Sequence, residues 1–235
     1  MASTQFLLEV GHPRVVGSFG SLLDLRAATV AAVRESCDIA EVRLDLLGGT
    51  SESLPWSHLA EIPLLFTARR SEEGGAQALA AAARVALLRG VLDHAAWLDI
   101  EVASIPEMAS FLEELAARKI PWLASYHDFE KLPNTAVLAH AAQQARAAGA
   151  AVFKAAAKLA SPADVARLAE FQLADHGLPV ATMGMGPLAP VSRLLCAQCG
   201  SVLNYGYLGK TATAPGQWDS ALLRTAISRL APFSL

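Results

Sequence analysis

Ala151-Val152-Phe153-Lys154-Ala155-Ala156 is an apolar run with one lysine near its centre. It lies between two stretches with helical periodicity, residues 135–148 and 161–177, so it reads as a β-strand wedged between helices. Side chains alternate faces along a strand, which puts Val152, Lys154 and Ala156 on one face and Phe153 and Ala155 on the other. A lysine in this position has its amine out of bulk water. Burial disfavours the charged form and lowers the pKa. A neutral, desolvated amine is a nucleophile towards carbonyls and can form a Schiff base. The competing reading is a lysine whose head snorkels to water at the strand end.

The same unit recurs on both sides. Apolar runs of strand length cover residues 14–19, 39–46, 64–69, 97–102, 122–127, 151–156, 180–185 and 202–208. Helical patterns fill much of the space between them, clearest at 77–90, 106–118, 135–148 and 161–177. Ser161-Pro162 supplies an N-cap with proline at the first helical position, and Asp164 falls in the first turn. Gly90, Gly149 and Gly177 stand where helices should stop. Eight strands alternating with helices, without a break in composition, predict a single (β/α)8 barrel over residues 1–235. The first and second helices are expected to be short. Residues 6–10, a Gly11-His12-Pro13 turn and residues 14–17 are expected to form a hairpin that closes the barrel floor. An open doubly wound sheet is the other architecture considered. Its one hook is Gly184-Met185-Gly186-Pro187-Leu188-Ala189, but no acidic residue lies between Asp175 and Asp219 to hold a ribose.

Composition narrows the function. Apolar residues make up 53% of the 235 and charged residues 17%, enough for a large core and too little charge for a disordered chain. A net charge of −3 and the lack of a basic run with interleaved aromatics argue against nucleic acid as a partner. No apolar run reaches the roughly 20 residues of a membrane span, and the first ten residues lack the pattern of a secretory signal. Three cysteines suit a reducing compartment, so a cytoplasmic protein is expected. Cys196-Ala197-Gln198-Cys199 has no second pair with which to hold zinc, and packing at a helix end is the expected role.

Strand parity also gathers the polar residues. Glu41, Arg43 and Asp45 share one face of the second strand, Thr67 and Arg69 one face of the third, and Asp99 and Glu101 one face of the fourth. Ser125 and His127 do so on the fifth, and Met183 and Met185 on the seventh. A barrel interior is ordinarily filled by branched apolar side chains, and barrel enzymes build their sites at the strand C-terminal ends. Internal ion pairs between strands would account for Asp45 and Asp99, but not for His127 and Lys154 on successive strands. Lys158 has the same parity as Lys154 and is the rival nucleophile, nearer the strand exit. Asp128 points away from the face of His127. Residues 178–216 contain no acid but hold Arg193 and Lys210, followed by the small-residue run Thr211-Ala212-Thr213-Ala214-Pro215-Gly216-Gln217. This balance predicts an anionic substrate, a carboxylate or a phosphate. Arg193 can hold a carboxylate in a two-point fork, unless it is a solvated helix residue.

Short pieces in one order carry a resemblance across nearly the whole chain. They are Glu41-Val42-Arg43-Leu44-Asp45, Thr67-Ala68-Arg69 with Glu73-Gly74-Gly75, and Asp99-Ile100-Glu101. Ser125-Tyr126-His127-Asp128-Phe129, Lys154, Met183-Gly184-Met185, Ser192-Arg193 and Thr213-Ala214-Pro215-Gly216-Gln217 follow. The set resembles type I 3-dehydroquinate dehydratases, the Schiff-base barrels of the shikimate route. The resemblance implies that Lys154 forms an imine with the substrate ketone and that His127 is the general base and acid. It implies that Glu41, Arg43 and Arg69 bind ring hydroxyls and polarise the site, with Glu73 also among the substrate-binding residues. Arg193 would hold the carboxylate, Met183 and Met185 would pack around the imine, and Thr213 and Gln217 would lie in a closing loop. It further implies a homodimer and no cofactor or metal. The chain departs from the family at Thr213, where serine is usual, in a tract of residues 205–213 one residue longer than usual, and in a short connection between Asp45 and Thr67. Another Schiff-base barrel lyase, such as a class I aldolase, is the alternative; a phosphate site in the loops after strands 7 and 8 would favour it.

Overall fold

The computed structural model describes residue 8 and residues 12–47 and 54–231. Eight strands run in order as β1 (Arg14–Phe19), β2 (Ile39–Arg43), β3 (Leu64–Thr67), β4 (Trp97–Glu101), β5 (Trp122–Asp128), β6 (Val152–Lys158), β7 (Val180–Met185) and β8 (Leu203–Leu208). They form one parallel sheet in which β1 pairs with both β2 and β8, and the ladder continues in sequence order to β7. At the seam the Val202 amide donates to the Val180 carbonyl at 3.1 Å. The result is a nearly closed barrel with helices alternating around it, as the strand–helix alternation predicts.

The helices are α1 (Leu22–Ala27), α2 (Val30–Ser36), α3 (Ala81–Arg89), α4 (Ala109–Arg118), α5 (Thr135–Ala147), α6 (Pro162–Leu173), α7 (Ala189–Gln198) and α8 (Ser220–Ile227). Two short helices lie between β1 and β2. Among the described residues the connection from β2 to β3 holds only 3-10 turns, Leu44–Leu46 and Ser57–Leu59. The second helix, expected to be short, is thus reduced to 3-10 turns among the described residues. Residues 6–10 of the expected hairpin lie outside the described residues except Leu8, which packs against the barrel interior. Residues 14–17 belong to β1 and run parallel to both neighbours.

The interior has two layers, and their division positions the site. Near the strand N-terminal ends, Val16, Ile39, Leu65, Trp97, Leu123 and Val152 form an apolar plug. Towards the C-terminal ends the inward face turns polar: Ser18, Glu41, Thr67, Asp99, Ser125 and Lys154 are all buried. The outward faces of the strands pack on the helices through a larger cluster that includes Val42, Phe66, Leu98, Phe153 and Phe171. Water is thereby excluded below and around the polar layer, and the mouth above it remains the approach.

Candidate active site

Lys154 sits in the middle of β6, with Ser125 of β5 and Ala181 of β7 beside it in register. The residue is 4% exposed, so the snorkelling alternative does not hold. Nζ donates to Asp99 Oδ2 at 3.0 Å and lies 4.2 Å from the centre of the Tyr205 ring. Burial is the largest influence on the amine and lowers its pKa, with Arg69 adding to the effect; Asp99 and Glu41 oppose it without reversing it. Lys158 is exposed at the end of β6.

Arg69 lies beyond the last residue of β3, and its guanidinium is spent on internal partners. It donates to Asp99 at 2.7 Å, Glu101 at 3.1 Å and Ser125 at 2.5 Å. Burial works against its charge, but Asp99 and Glu101 raise its pKa above the ordinary arginine value. Asp99 is the reciprocal case: burial would raise its pKa, while Arg69 and Lys154 hold it well below the usual carboxylate range. Arg43 forks onto Asp45 at 2.7 and 2.9 Å. Asp45 is not on the strand: the chain leaves β2 at Arg43 into a 3-10 turn, which folds the carboxylate back onto the guanidinium. Both Glu41 oxygens accept from hydroxyls, one from Ser18 and the other from Thr67 at 2.7 Å.

His127 lies near the end of β5. Glu73 Oε2 accepts its backbone N–H and also meets its Nδ1, each at 2.9 Å. An oxygen that already accepts the amide accepts from Nδ1 as well when Glu73 is ionised, which assigns the imidazole proton to Nδ1 and leaves the Nε2 lone pair free. Burial first, then Arg69 and Lys154, push the His127 pKa well below 6.5, so the ring is neutral at neutral pH. Burial pushes Glu73 up to about 7, helped by Glu101 and Asp99 and opposed by Arg69. Glu73 ends the 3-10 turn Ser71–Glu73, which is followed by Gly74 at φ 87°. A β-carbon there would lie 2.6 Å from the Phe129 ring, so glycine lets this turn sit under Phe129 and bring Glu73 to the histidine. Asp128 caps the next turn by accepting from the Glu130 and Lys131 amides, away from the imidazole.

Arg193 is buried within α7, not solvated. It donates to the Tyr205 carbonyl, its Nε has no partner, and no carboxylate lies within ion-pair distance among the described residues. Burial lowers its pKa to about 10, still charged at neutral pH. A buried guanidinium without a counter-anion is a ready receptor for an anionic ligand. Thr213 donates to Gln217 Oε1 from both its amide and its hydroxyl at 2.9 Å, fixing a compact loop after β8. That loop is pinned at both feet. The Lys210 amide donates to Asp24 of α1 at 3.2 Å, and the Gly186 amide donates to the Pro215 carbonyl at 3.0 Å.

All eleven residues expected at the site line one pocket, Met183 and Met185 included. Parity reasoning passed over two further lining residues, Ser18 and Tyr205. The alternation of Val16–Ser18 on β1 and Leu203–Tyr205 on β8 carried the signal, but a lone serine and an aromatic in apolar runs read as core. Among the described residues no group of three metal-ligating side chains is assembled, and Cys37, Cys196 and Cys199 are free and buried. No described helix is long and apolar enough to cross a membrane.

Fold and pocket place the molecule in the class of (β/α)8 barrels with a polar site at the C-terminal ends of their strands. More narrowly, the chain belongs to the type I 3-dehydroquinase family, whose model matches residues 18–231. A 3-dehydroquinate dehydratase of Desulfotalea psychrophila is 35% identical over 236 residues, covering 97% of this chain and 99% of the relative. One of Methanocella arvoryzae is 32% identical over 207 residues, covering 87% and 91%. The crystal structure of 3-dehydroquinate dehydratase from Geobacillus kaustophilus superposes with a TM-score of 0.80 at 25% identity, covering 93% of this chain and 92% of that one.

Proposed function

We propose that the chain is a hydro-lyase that eliminates water from 3-dehydroquinate to give 3-dehydroshikimate through an imine on Lys154. The observation that carries this reading is the Lys154 amine, buried and depressed in pKa, in one pocket with a neutral His127. The uncharged amine attacks the ketone carbon; the nitrogen lone pair forms the C–N bond and the π pair moves to oxygen. Loss of that oxygen as water leaves an iminium, which withdraws electrons from the neighbouring carbon. His127 Nε2 takes a proton there and an enamine forms. The enamine expels the β-hydroxyl, which the same imidazolium protonates, and a second water hydrolyses the conjugated iminium and frees the lysine. The sink is made from the protein and the substrate, so the reading calls for no cofactor.

Arg193 would take the substrate carboxylate, and Thr213 and Gln217 would cover it. Glu41 and Arg43, which line the pocket, would meet ring hydroxyls. Arg69, committed to Asp99, Glu101 and Ser125, would act through its field: it lowers the pKa of both Lys154 and His127. Met183 and Met185 would pack beside the imine. The buried Arg193 guanidinium, without a counter-anion among the described residues, fits a small carboxylate, and the family match favours the dehydratase over an aldolase. A cytoplasmic homodimer completes the proposal, and light scattering of the purified protein tests the dimer.

The deciding experiment is borohydride reduction in the presence of 3-dehydroquinate with mapping of the mass adduct. An adduct on Lys154 that is lost in Lys154→Ala along with turnover is expected; full turnover without an adduct at Lys154 would refute the imine. His127→Ala should slow turnover by roughly 10²–10⁴, the usual worth of a general acid–base group, while the trapped adduct still forms.

A further inference from the structure

Two polar atoms in the pocket wall are buried without a partner among the described residues: Arg193 Nε and the Tyr205 hydroxyl. The first is answered by an anionic ligand. The second has no part in the chemistry above. Tyr205 lies on β8, beside Val16 of β1, and its ring faces the Lys154 amine at 4.2 Å. Arg193 clamps its backbone carbonyl, so the position of the ring is fixed. The carboxylates nearest in effect are Glu41 and Asp99, and neither accepts the phenol. Glu41 is held by Ser18 and Thr67, and Asp99 by Ser125, Arg69 and Lys154. Burial, then Glu41 and Asp99, push the phenol pKa well above 10. The group therefore stays protonated and has a hydrogen to offer. A buried donor left unpaired costs stability, so its retention calls for a reason.

We infer that the Tyr205 hydroxyl is a further catalytic residue, which hydrogen-bonds the oxygen on the ligand carbon that Lys154 attacks. That carbon is one bond from Nζ and its oxygen two, while Nζ itself sits over the ring that bears the hydroxyl. As the amine attacks, the π pair gathers on this oxygen and the phenol hydrogen bond strengthens; the tyrosine keeps its proton throughout. A nitrogen proton then passes to the oxygen to give the neutral carbinolamine. The C–O bond breaks as the nitrogen lone pair forms C=N, and the oxygen leaves as water with a proton drawn from solvent, which the later hydrolysis of the iminium returns. The iminium that remains is a cation over an aromatic face, a favourable placement for the ring itself.

The inference rests on the imine reading, and one experiment separates the two. Wild-type protein and Tyr205→Phe are mixed rapidly with 3-dehydroquinate and quenched with borohydride at increasing times, and the adduct on Lys154 is quantified by mass. Tyr205→Phe keeps the ring and removes only the hydroxyl. Adduct formation is expected to slow roughly tenfold, the scale of one hydrogen bond made chiefly in the transition state, while the variant melts no earlier than wild type because it loses an unpaired polar atom. Adduct formation at the wild-type rate in Tyr205→Phe would overturn the role of the hydroxyl and leave the imine intact. Absence of any Lys154 adduct in the wild type would instead overturn the underlying mechanism. Tyr205→Leu, which removes the ring as well, should slow the step further; if it merely matches Tyr205→Phe, the ring contributes nothing and the hydroxyl carries the whole effect.

Discussion

Lys154 and His127 show how one environment sets two groups for opposite tasks. Both are desolvated, and burial is the largest cause lowering each pKa, which favours the neutral forms that the proposed nucleophile and proton acceptor require. Glu73 holds the imidazole through Nδ1 and is itself strained electrostatically, at about 7 against an ordinary 4.5. Between those two values the folded state binds more protons than the unfolded one, so this residue's contribution to stability falls as pH rises through the window. Glu73→Gln removes that slope. The difference in urea midpoint between variant and wild type should therefore move in favour of the variant from pH 5 to pH 8, whatever its value at pH 5; a difference that does not change with pH would contradict the assignment. Residues on strands, such as Lys154 and Glu41, were legible because alternation fixes their face. Glu73 was not, because it lies in a 3-10 turn without a periodic signal, and only the resemblance pointed to it. Asp45 was assigned to the strand face by the same parity, which failed where the backbone left β2 two residues earlier.

At the scale of elements, the start of α6 was read from its cap, whereas its stop was not: the helix ends at Leu173, short of Gly177. Ser161 accepts from the Asp164 amide at 3.3 Å, and Asp164 returns the bond by accepting from the Ser161 amide at 3.1 Å. This reciprocal box begins α6 directly after the strand that bears Lys154. Ser161→Ala should cost about 1 kcal/mol of unfolding free energy, measured by equilibrium denaturation, with activity unchanged when assayed well below the melting temperature. Strand positions were legible because eight apolar runs of similar length recur. Their ends were less so: β6 continues to Lys158, past the alanines that look neutral to strand and helix alike. The pair of short helices before β2, and the near-bare link after it, left only a weak periodic trace.

For the whole molecule, the barrel joins an apolar plug to a charged upper layer, and that layer is tied to the outer shell by Arg84. This arginine of α3 is 2% exposed and reaches Glu101 at 2.7 Å, Ser104 at 2.9 Å and Glu107 at 2.6 Å. Glu101 in turn holds Arg69. Removing one partner of a buried pair leaves an uncompensated charge, so Arg84→Ala should destabilise the protein by about 3–5 kcal/mol in equilibrium unfolding. A loss below about 1 kcal/mol would show that Glu101 is satisfied without it.

The two anchored feet of the segment after β8 have a consequence for how ligands come and go. With Lys210 tied to Asp24, Pro215 tied to Gly186 and Thr213 bonded to Gln217 between them, the segment is held along its length. A ligand that displaced this segment would have to break those bonds, between two anchors that lie on α1 and beside β7. A single cut by a protease between the anchors would leave the barrel standing while letting bound substrate escape before reaction.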